Sequence, residues 1–302
     1  FISLGALFFA VIMLASLFGP FSFVGPASAE TSGDYEYELI NGDTEVKIKK
    51  YLGPGGDVVI PGEIDGKPVR TIDYHAFYLV EGLTSVTVPA NVTSIVGAAF
   101  AECPDLTDIN VNSNNTDYAS VDGVLFYKNL LNLRMFPSGR EGPYTVPGGT
   151  VYILYEAFAR CKLSAVTVPD SVLSIDERAF YECKSLTSAT LGAGLLSIKA
   201  NAIAYCDALE SIVIPDSVTT IGYRAFAADY SLASVTIGSG VTAIEHNTFT
   251  HCYSLTSLTI PGNVLTIGNN AFDNCHSLEA LTLSNGLTTI SYAAFNFCVL
   301  LT

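Results

Sequence analysis

Apolar residues return at regular intervals along most of this chain, and the clearest mark is a phenylalanine that usually follows alanine. Isoleucine takes its place once, in the series Phe77, Phe100, Phe158, Phe180, Ile203, Phe226, Phe249, Phe272 and Phe295. An isoleucine lies five residues before each of them, from Ile72 to Ile290. A spacing of about 23 residues predicts a repeat protein whose units stack on one another.

Each repeat divides into three segments. A leucine opens a run in which apolar and small polar residues alternate, as in Leu232–Gly238, and this pattern predicts a strand that ends at proline or glycine. A short extended stretch reaches the isoleucine, and a short helical turn carries the phenylalanine into the core. The expected fold is a leucine-rich-repeat solenoid, rich in β-structure, with a parallel sheet on one face and about nine rungs of 22–23 residues.

The repeats are expected to span residues 63–302, interrupted by an insertion at about 112–150. Residues 30–62 contain two strand-like runs around Asn41-Gly42-Asp43, which predict a β-hairpin cap and a strand leading into the array. The sequence stops at Leu301-Thr302, at the beginning of a strand, so we expect a fragment without its C-terminal cap.

The pattern L-x-x-V-x-I-P-x-x-V-x-x-I-x-x-x-A-F-x-x-C resembles the BspA-type (bacterial surface antigen) leucine-rich repeat. The segment Gly53–Pro61 resembles that family too, as do Tyr118–Tyr127 and Tyr144–Pro147 within the insertion. The resemblance covers about residues 35–302. It implies the solenoid fold and a role in adhesion at the cell surface.

Phe1–Ala29 carries no charge and reads as a secretory signal peptide. An apolar run to Phe18 is followed by the breaker Gly19-Pro20 and by Ala27-Ser28-Ala29, a small-residue cleavage motif. The alternative is a retained membrane anchor, because about 18 apolar residues are near the lower limit for crossing a bilayer. Both interpretations place the protein outside the cell, either secreted or on the cell surface.

The chain is strongly acidic, with 14 Lys and Arg against 29 Asp and Glu and a net charge of −15. Such a surface repels phosphate backbones and anionic lipids, so nucleic acid is not an expected partner. We expect a monomer that binds an extracellular protein or glycan and that does not insert into membranes once its leader is cleaved.

Seven cysteines occupy one position of the repeat, three residues after the phenylalanine, and Asp229 takes that position once. This regularity predicts a column of buried free thiols; disulfides between adjacent rungs and metal binding are the alternatives. His251-Cys252 and Cys275-His276 lie one rung apart, which suggests zinc, although solvent-facing turn residues are the simpler interpretation. Residues 112–117 lack the glycine and glutamate of a calcium loop. No catalytic motif is present, so neither an enzyme nor a cofactor or metal site is expected.

Two surfaces are candidates for binding. The first is the outward face of the strands, where hydroxyl residues form two columns: Thr87, Thr167, Thr190, Thr236, Thr259 and Thr282 beside Ser85, Ser188, Ser211, Ser234 and Ser257. Threonine also simply suits a solvent-facing strand, and a regular threonine array could order water as ice-binding solenoids do. The second is the insertion, where Tyr127, Arg134 and Phe136 are residue types common at interfaces; a purely structural hairpin is the alternative.

The sequence therefore predicts an adhesin or ligand-binding module for extracellular proteins or glycans. The alternative is a structural or targeting array within a larger secreted protein, whose effector or catalytic domain lies outside this sequence.

Overall fold

The computed structural model describes residues 29–302, and the predicted leader Phe1–Ala29 therefore lies almost wholly outside the described residues. The described part contains no helix, and so none that is long and apolar enough to cross a membrane. Before the insertion the strands are β1 (Glu30–Ser32), β2 (Tyr35–Ile40), β3 (Glu45–Tyr51), β4 (Gly56–Val59), β5 (Glu63–Ile64), β6 (Lys67–Ile72), β7 (Leu83–Val88), β8 (Ser94–Ile95) and β9 (Asp108–Val111). Within it they are β10 (Tyr118–Val121), β11 (Val124–Tyr127), β12 (Asn132–Met135) and β13 (Gly142–Thr145).

The remaining strands alternate between longer and two-residue segments. They are β14 (Tyr152–Ile153), β15 (Leu163–Thr167), β16 (Ser174–Ile175), β17 (Ser188–Thr190), β18 (Ser197–Ile198), β19 (Ser211–Val213), β20 (Thr220–Ile221), β21 (Ser234–Thr236), β22 (Ala243–Ile244), β23 (Ser257–Ile260), β24 (Thr266–Ile267), β25 (Ala280–Leu283) and β26 (Thr289–Ile290). Each rung gives one strand to each of two sheets, which confirms the predicted solenoid with parallel strands.

The first sheet is made of the longer strands and the second of the short ones. The insertion divides the first sheet into β4-β7-β9 and the seven-stranded β13-β15-β17-β19-β21-β23-β25. In the second sheet β3, β6 and β8 pair in parallel, β12 leads the series to β20, and β22-β24-β26 form a separate group. The hydrophobic core is divided within the insertion, which gives Tyr118, Leu125 and Met135 to the cluster of the first rungs and Phe126 and Phe136 to the cluster of the later ones.

The structure has about eleven rungs rather than nine. Tyr51 stacks on Phe77 with ring centroids 5.0 Å apart, and Phe136 stacks on Phe158 at the same distance. Both residues donate a backbone N–H to the rung that follows, as the repeat phenylalanines do. They therefore occupy the phenylalanine position of two rungs that the Ala-Phe pattern does not reveal, one at the N-terminal end and one inside the insertion.

The predicted helical turns are also wrong, because each repeat has two residues with left-handed backbone conformation. They lie two residues before and two after the phenylalanine position, as at Arg178 (φ 58°) and Glu182 (φ 58°) around Phe180. A right-handed helix cannot pass through such residues. The segment instead forms consecutive tight turns whose N–H groups bond to the adjacent rung, as Phe158 N does to Ala179 O.

In the second half of the array the rungs associate in pairs. Strands β15 and β17 form three residue pairs, and so do β19 and β21, whereas β17 and β19 form only one. The turn sequences alternate accordingly, with proline at 169 and 215 and glycine at 192 and 238. Within a pair the Asp170 carboxylate accepts the N–H of Ala193 at 2.7 Å, and Asp216 accepts that of Ser239 at 2.7 Å. The glycine turn thus nests against the proline turn before it.

Gly194→Ala should destabilise the protein because no room exists for a side chain inside a nested pair. A Cβ atom at this position would lie 2.0 Å from the backbone oxygen of Asp170. We expect a loss of about 1–3 kcal/mol in the free energy of unfolding, measured by urea denaturation. Ala193→Gly, next to it on the exposed side of the turn, should cost less than about 1 kcal/mol. Wild-type stability in Gly194→Ala would mean that the two turns can separate freely.

Candidate ligand-binding face

The seven-stranded sheet brings most of the predicted hydroxyl residues together on one exposed face. Its parallel register aligns one column of Thr167, Thr190, Thr236, Thr259 and Thr282 and a second column of Ser188, Ser211, Ser234 and Ser257. All nine side chains are exposed. Thr145 pairs with Thr167 and extends the first column by one rung. Thr87 has the same orientation but lies on the separate sheet β4-β7-β9. We call the nine residues with Thr145 the hydroxyl face.

The hydroxyl groups of this face are free to bind a ligand. Within the described residues none of them forms a hydrogen bond with another protein group, whereas the threonines at the neighbouring position of the repeat do. Thr187 Oγ1 donates to Ser164 O at 3.0 Å, and Thr256 Oγ1 donates to Ala233 O at 3.4 Å. Threonines of one column therefore join rungs, and those of the other present a donor and two acceptor lone pairs to solvent at every rung of this sheet except that of Val213.

The hydroxyl face carries no charge in an otherwise acidic protein. No Lys, Arg, Asp or Glu stands in either column between Thr145 and Thr282, and residues 225–302 contain no Lys or Arg at all. A ligand held on this face would be recognised through hydrogen bonds and apolar contact. Long-range attraction of an anionic ligand is not available there.

A groove crosses the hydroxyl face where two rung pairs separate. Because β17 and β19 pair only at Ser188 and Ser211, the strands diverge beyond that point and leave a cavity of about 330 Å³ between Thr190 and Val213. A second cavity of about 420 Å³ adjoins it, lined by Pro215, Asp216 and Thr236 among others. Leu191 and Val213 line both cavities. We call the two together the Val213 groove.

Sequence reasoning missed this groove because Val213, which takes the place of a threonine in the column, has no hydroxyl group to mark it. Its side chain is 62% exposed and forms the apolar centre between four hydroxyl residues, Ser188, Thr190, Ser211 and Thr236. The alternation of proline and glycine turns could have indicated it, since that alternation marks where strands pair closely and where they separate.

Two of the residues predicted to bind a ligand on the insertion lie in the interior instead. Phe136 is 3% exposed and belongs to the ring stack of the core. Arg134 is 7% exposed, and its Nη2 donates to Ile95 O at 3.1 Å, while the Tyr118 hydroxyl accepts the N–H of Ile95 at 2.9 Å. These side chains replace the strand that the insertion removes from beside β8, which corrects the prediction for both residues. Tyr127 is exposed and stacks on Tyr118.

The seven cysteines are buried free thiols, and each donates a hydrogen bond to a backbone oxygen of the preceding rung. The thiol of Cys206, for example, donates to Phe180 O at 3.2 Å, and that of Cys252 to Phe226 O at 3.3 Å. Burial raises the pKa of the Cys103 thiol to about 11 and that of Cys252 well above its usual range. These thiols are therefore protonated at neutral pH and are poor nucleophiles.

The structure shows no assembled zinc site in residues 29–302, where no three His, Cys, Asp or Glu side chains lie close enough to hold a metal ion. Cys252 and Cys275 direct their sulfur atoms inward to backbone oxygens. His251 contacts the Thr250 hydroxyl at 2.9 Å, and His276 stacks on Tyr253 with ring centroids 5.0 Å apart. The histidines thus belong to the turn surface.

Comparison with known proteins places these features in a family. The model described as BspA type leucine rich repeat region matches in six copies, over residues 63–138, 150–277 and 196–302. A leucine-rich repeat protein from Bacteroides ovatus superposes with a TM-score of 0.57 at 20% identity, covering 90% of this chain and 81% of that one. The pneumococcal vaccine antigen PcpA superposes with a TM-score of 0.54 at 16% identity, covering 87% and 98%. Both likenesses show the shared fold.

A leucine rich cell surface protein from Faecalibacterium prausnitzii is 25% identical over 92% of this chain and 94% of that one, with a TM-score of 0.40. No curated protein sequence matches the chain.

Proposed function

The chain belongs to the BspA-type leucine-rich-repeat family, and from this membership we propose that it is a binding protein of the cell exterior whose hydroxyl face captures an extracellular protein or glycan. The observation that carries the proposal is the set of exposed hydroxyl groups without protein partners on consecutive rungs of one sheet. A solenoid offers an extended surface of this kind, on which a ligand can contact several repeats at once. Secretion or display at the cell surface is supported by the family and by the leader-like Phe1–Ala29.

The chemistry of the described residues favours binding over catalysis. The cysteines are buried and their thiols bond to backbone oxygens in the core, and several charged surface side chains form ion pairs, as Arg160 does with Glu102 at 3.2 Å and with Glu182 at 3.1 Å. We further propose that the protein acts as a monomer. Its negative net charge disfavours nucleic acid as a partner.

Replacing Thr190, Thr236 and Thr259 together with lysine should abolish capture without unfolding the protein. The three side chains are exposed on the hydroxyl face, so the lysines project into the ligand's place and leave the core intact. The probes are purified fibronectin and purified mucin immobilised on a sensor surface. We expect the wild type to bind at least one of them and the triple variant to bind it at least about tenfold more weakly.

The matched control carries three lysines at Thr219, Thr242 and Thr288, which are exposed beside the second sheet. This variant changes the net charge equally and should bind like the wild type. Equal loss in both variants, or no binding of either probe by the wild type, would contradict the proposed face.

A further inference from the structure

We infer that the Val213 groove is a binding site for a neutral sugar residue of an extracellular glycan. The inference rests on the proposed function and narrows it to one ligand class and one place on the hydroxyl face. The two adjoining cavities, about 330 and 420 Å³, are of the size that holds small ligands in proteins.

The lining of the groove matches the two kinds of surface that a pyranose ring presents. Leu191 and Val213 form an apolar floor shared by both cavities, and the C–H face of a sugar ring can pack on such a floor. Ser188, Thr190, Ser211 and Thr236 stand around it, and each hydroxyl can both donate to and accept from the hydroxyl groups at the edge of the ring.

One charged side chain, that of Asp216, borders the groove, and its negative charge determines whether a neutral or an acidic sugar is favoured. Asp216 Oδ1 accepts the N–H of Ser239, which holds the pKa of this carboxyl below its usual value and keeps it ionised at neutral pH. A carboxylate has acceptor sites beyond those that Ser239 uses, and it can accept a sugar hydroxyl in a charge-assisted hydrogen bond. No Lys or Arg lines either cavity, so an acidic sugar would meet one negative charge and no positive one. The site therefore favours a neutral sugar over a uronic or sialic acid.

The groove arises from the paired arrangement of the rungs. Strands β15 and β17 pair at three positions, as do β19 and β21, so the position between Thr167 and Thr190 is closed. The strands open between the pairs, where β17 faces β19 and where β21 faces β23, and the two cavities lie at the first of these places. Thr242, which is exposed beside the second sheet and lies outside the hydroxyl face, offers a control position.

Saturation-transfer NMR on the purified chain tests the site, with methyl β-D-galactoside, methyl α-D-mannoside and methyl β-D-glucoside as neutral probes and galacturonate as the acidic one. We expect transfer to the ring C–H protons of at least one neutral glycoside and little transfer to galacturonate. Val213→Glu places a second carboxylate on the apolar floor and should weaken binding at least about tenfold. Thr242→Glu introduces the same charge outside the hydroxyl face and should leave binding unchanged.

Asp216→Asn provides an independent variant that does not alter the sheet. The amide oxygen can still accept the N–H of Ser239, but the charged acceptor is lost, and a several-fold weaker affinity is expected. Absence of transfer to every neutral glycoside would overturn the inference, as would equal loss in Val213→Glu and Thr242→Glu or stronger transfer to galacturonate. If Val213→Glu still captures fibronectin or mucin while the triple lysine variant does not, the sugar site fails and the binding face stands.

Discussion

Replacing Asp229 with cysteine is expected to raise the free energy of unfolding at pH 7 by about 3 kcal/mol, because the substitution removes a buried carboxyl group that lacks a full set of partners. Asp229 occupies the cysteine position of its rung and has no solvent exposure. Its Oδ1 accepts the N–H of Cys206 at 2.8 Å, while its Oδ2 has no partner among the described residues. A cysteine there could donate to Ile203 O, as the other seven donate to the rung before them.

The size of this effect should depend on pH. Burial raises the pKa of the Asp229 carboxyl well above its usual range, so folding disfavours the ionised form that the unfolded chain carries at neutral pH. An acid whose pKa is raised by folding costs stability as the pH rises above the unfolded value of about 4. The advantage of Asp229→Cys should therefore be smallest near pH 4 and grow toward pH 7.

Urea denaturation followed by circular dichroism at both pH values, with reductant present, measures the difference. The chain contains no tryptophan, so circular dichroism is preferred to fluorescence. Glu210→Gln removes an exposed carboxylate from the preceding rung and should change stability by no more than about 0.5 kcal/mol. A gain from Asp229→Cys that is the same at pH 4 and pH 7 would show that ionisation of Asp229 is not its cause.

Phe249→Ala should cost about 3–5 kcal/mol through a cavity in the core. The ring is fully buried and lies between Phe226 and Phe272, with ring centroids 5.2 and 5.3 Å apart and nearly parallel planes. In a solenoid a rung contacts only its two neighbours, so few other side chains can move in to fill the space.

The rung of Ile203 suggests a control for Phe249→Ala. Ile203 occupies the phenylalanine position of its rung and is also buried, which shows that the stack accepts a smaller apolar side chain. Phe249→Ile should accordingly lose clearly less stability than Phe249→Ala in the same denaturation measurement. If the two variants were equally destabilised, the loss would come from breaking the aromatic stack and not from the volume of the cavity.

The solenoid itself could be predicted from the sequence because its core positions are periodic. The isoleucine position and the phenylalanine position are buried in almost every rung for one physical reason, since each must fill the space between two sheets and contact its copy in the next rung. The cysteine column was predictable on the same ground. A position repeated at every rung has the same environment at every rung.

The turns and two of the rungs could not be predicted because their residue types carry no signal. The left-handed positions are occupied by residues such as Leu79, Glu182 and Tyr205 and not by glycine, so tertiary hydrogen bonds between rungs impose the conformation against local preference. Tyr51 and Phe136 lack the preceding alanine and the following cysteine. Only their stacking on Phe77 and Phe158 identifies their role.

The candidate site was predictable in its composition and not in its shape. Alternation along the strands placed Thr190, Ser211 and Thr236 outward, and the structure agrees. The divergence of β17 and β19 depends on how the glycine turn at 192 nests on the proline turn at 169, which is a relation between rungs. Arg134 was misjudged because a cationic side chain was expected at the surface, whereas here it satisfies a backbone oxygen that the insertion leaves without a strand.

The interruption of the second sheet between β20 and β22 has a mechanical consequence. Rungs are joined by hydrogen bonds that point along the stack. Tension applied to the two ends therefore acts on every interface between rungs, and the weakest interface separates first. The backbone hydrogen bonds across the link after Ile221 come from the first sheet and the turns alone, because β20 and β22 belong to separate sheets. Among the links after the insertion, we expect this one to part first when the molecule is pulled. The cavity between Ser188 and Val213 lies before this link. A ligand bound there would therefore stay bound while the rungs after Ile221 separate.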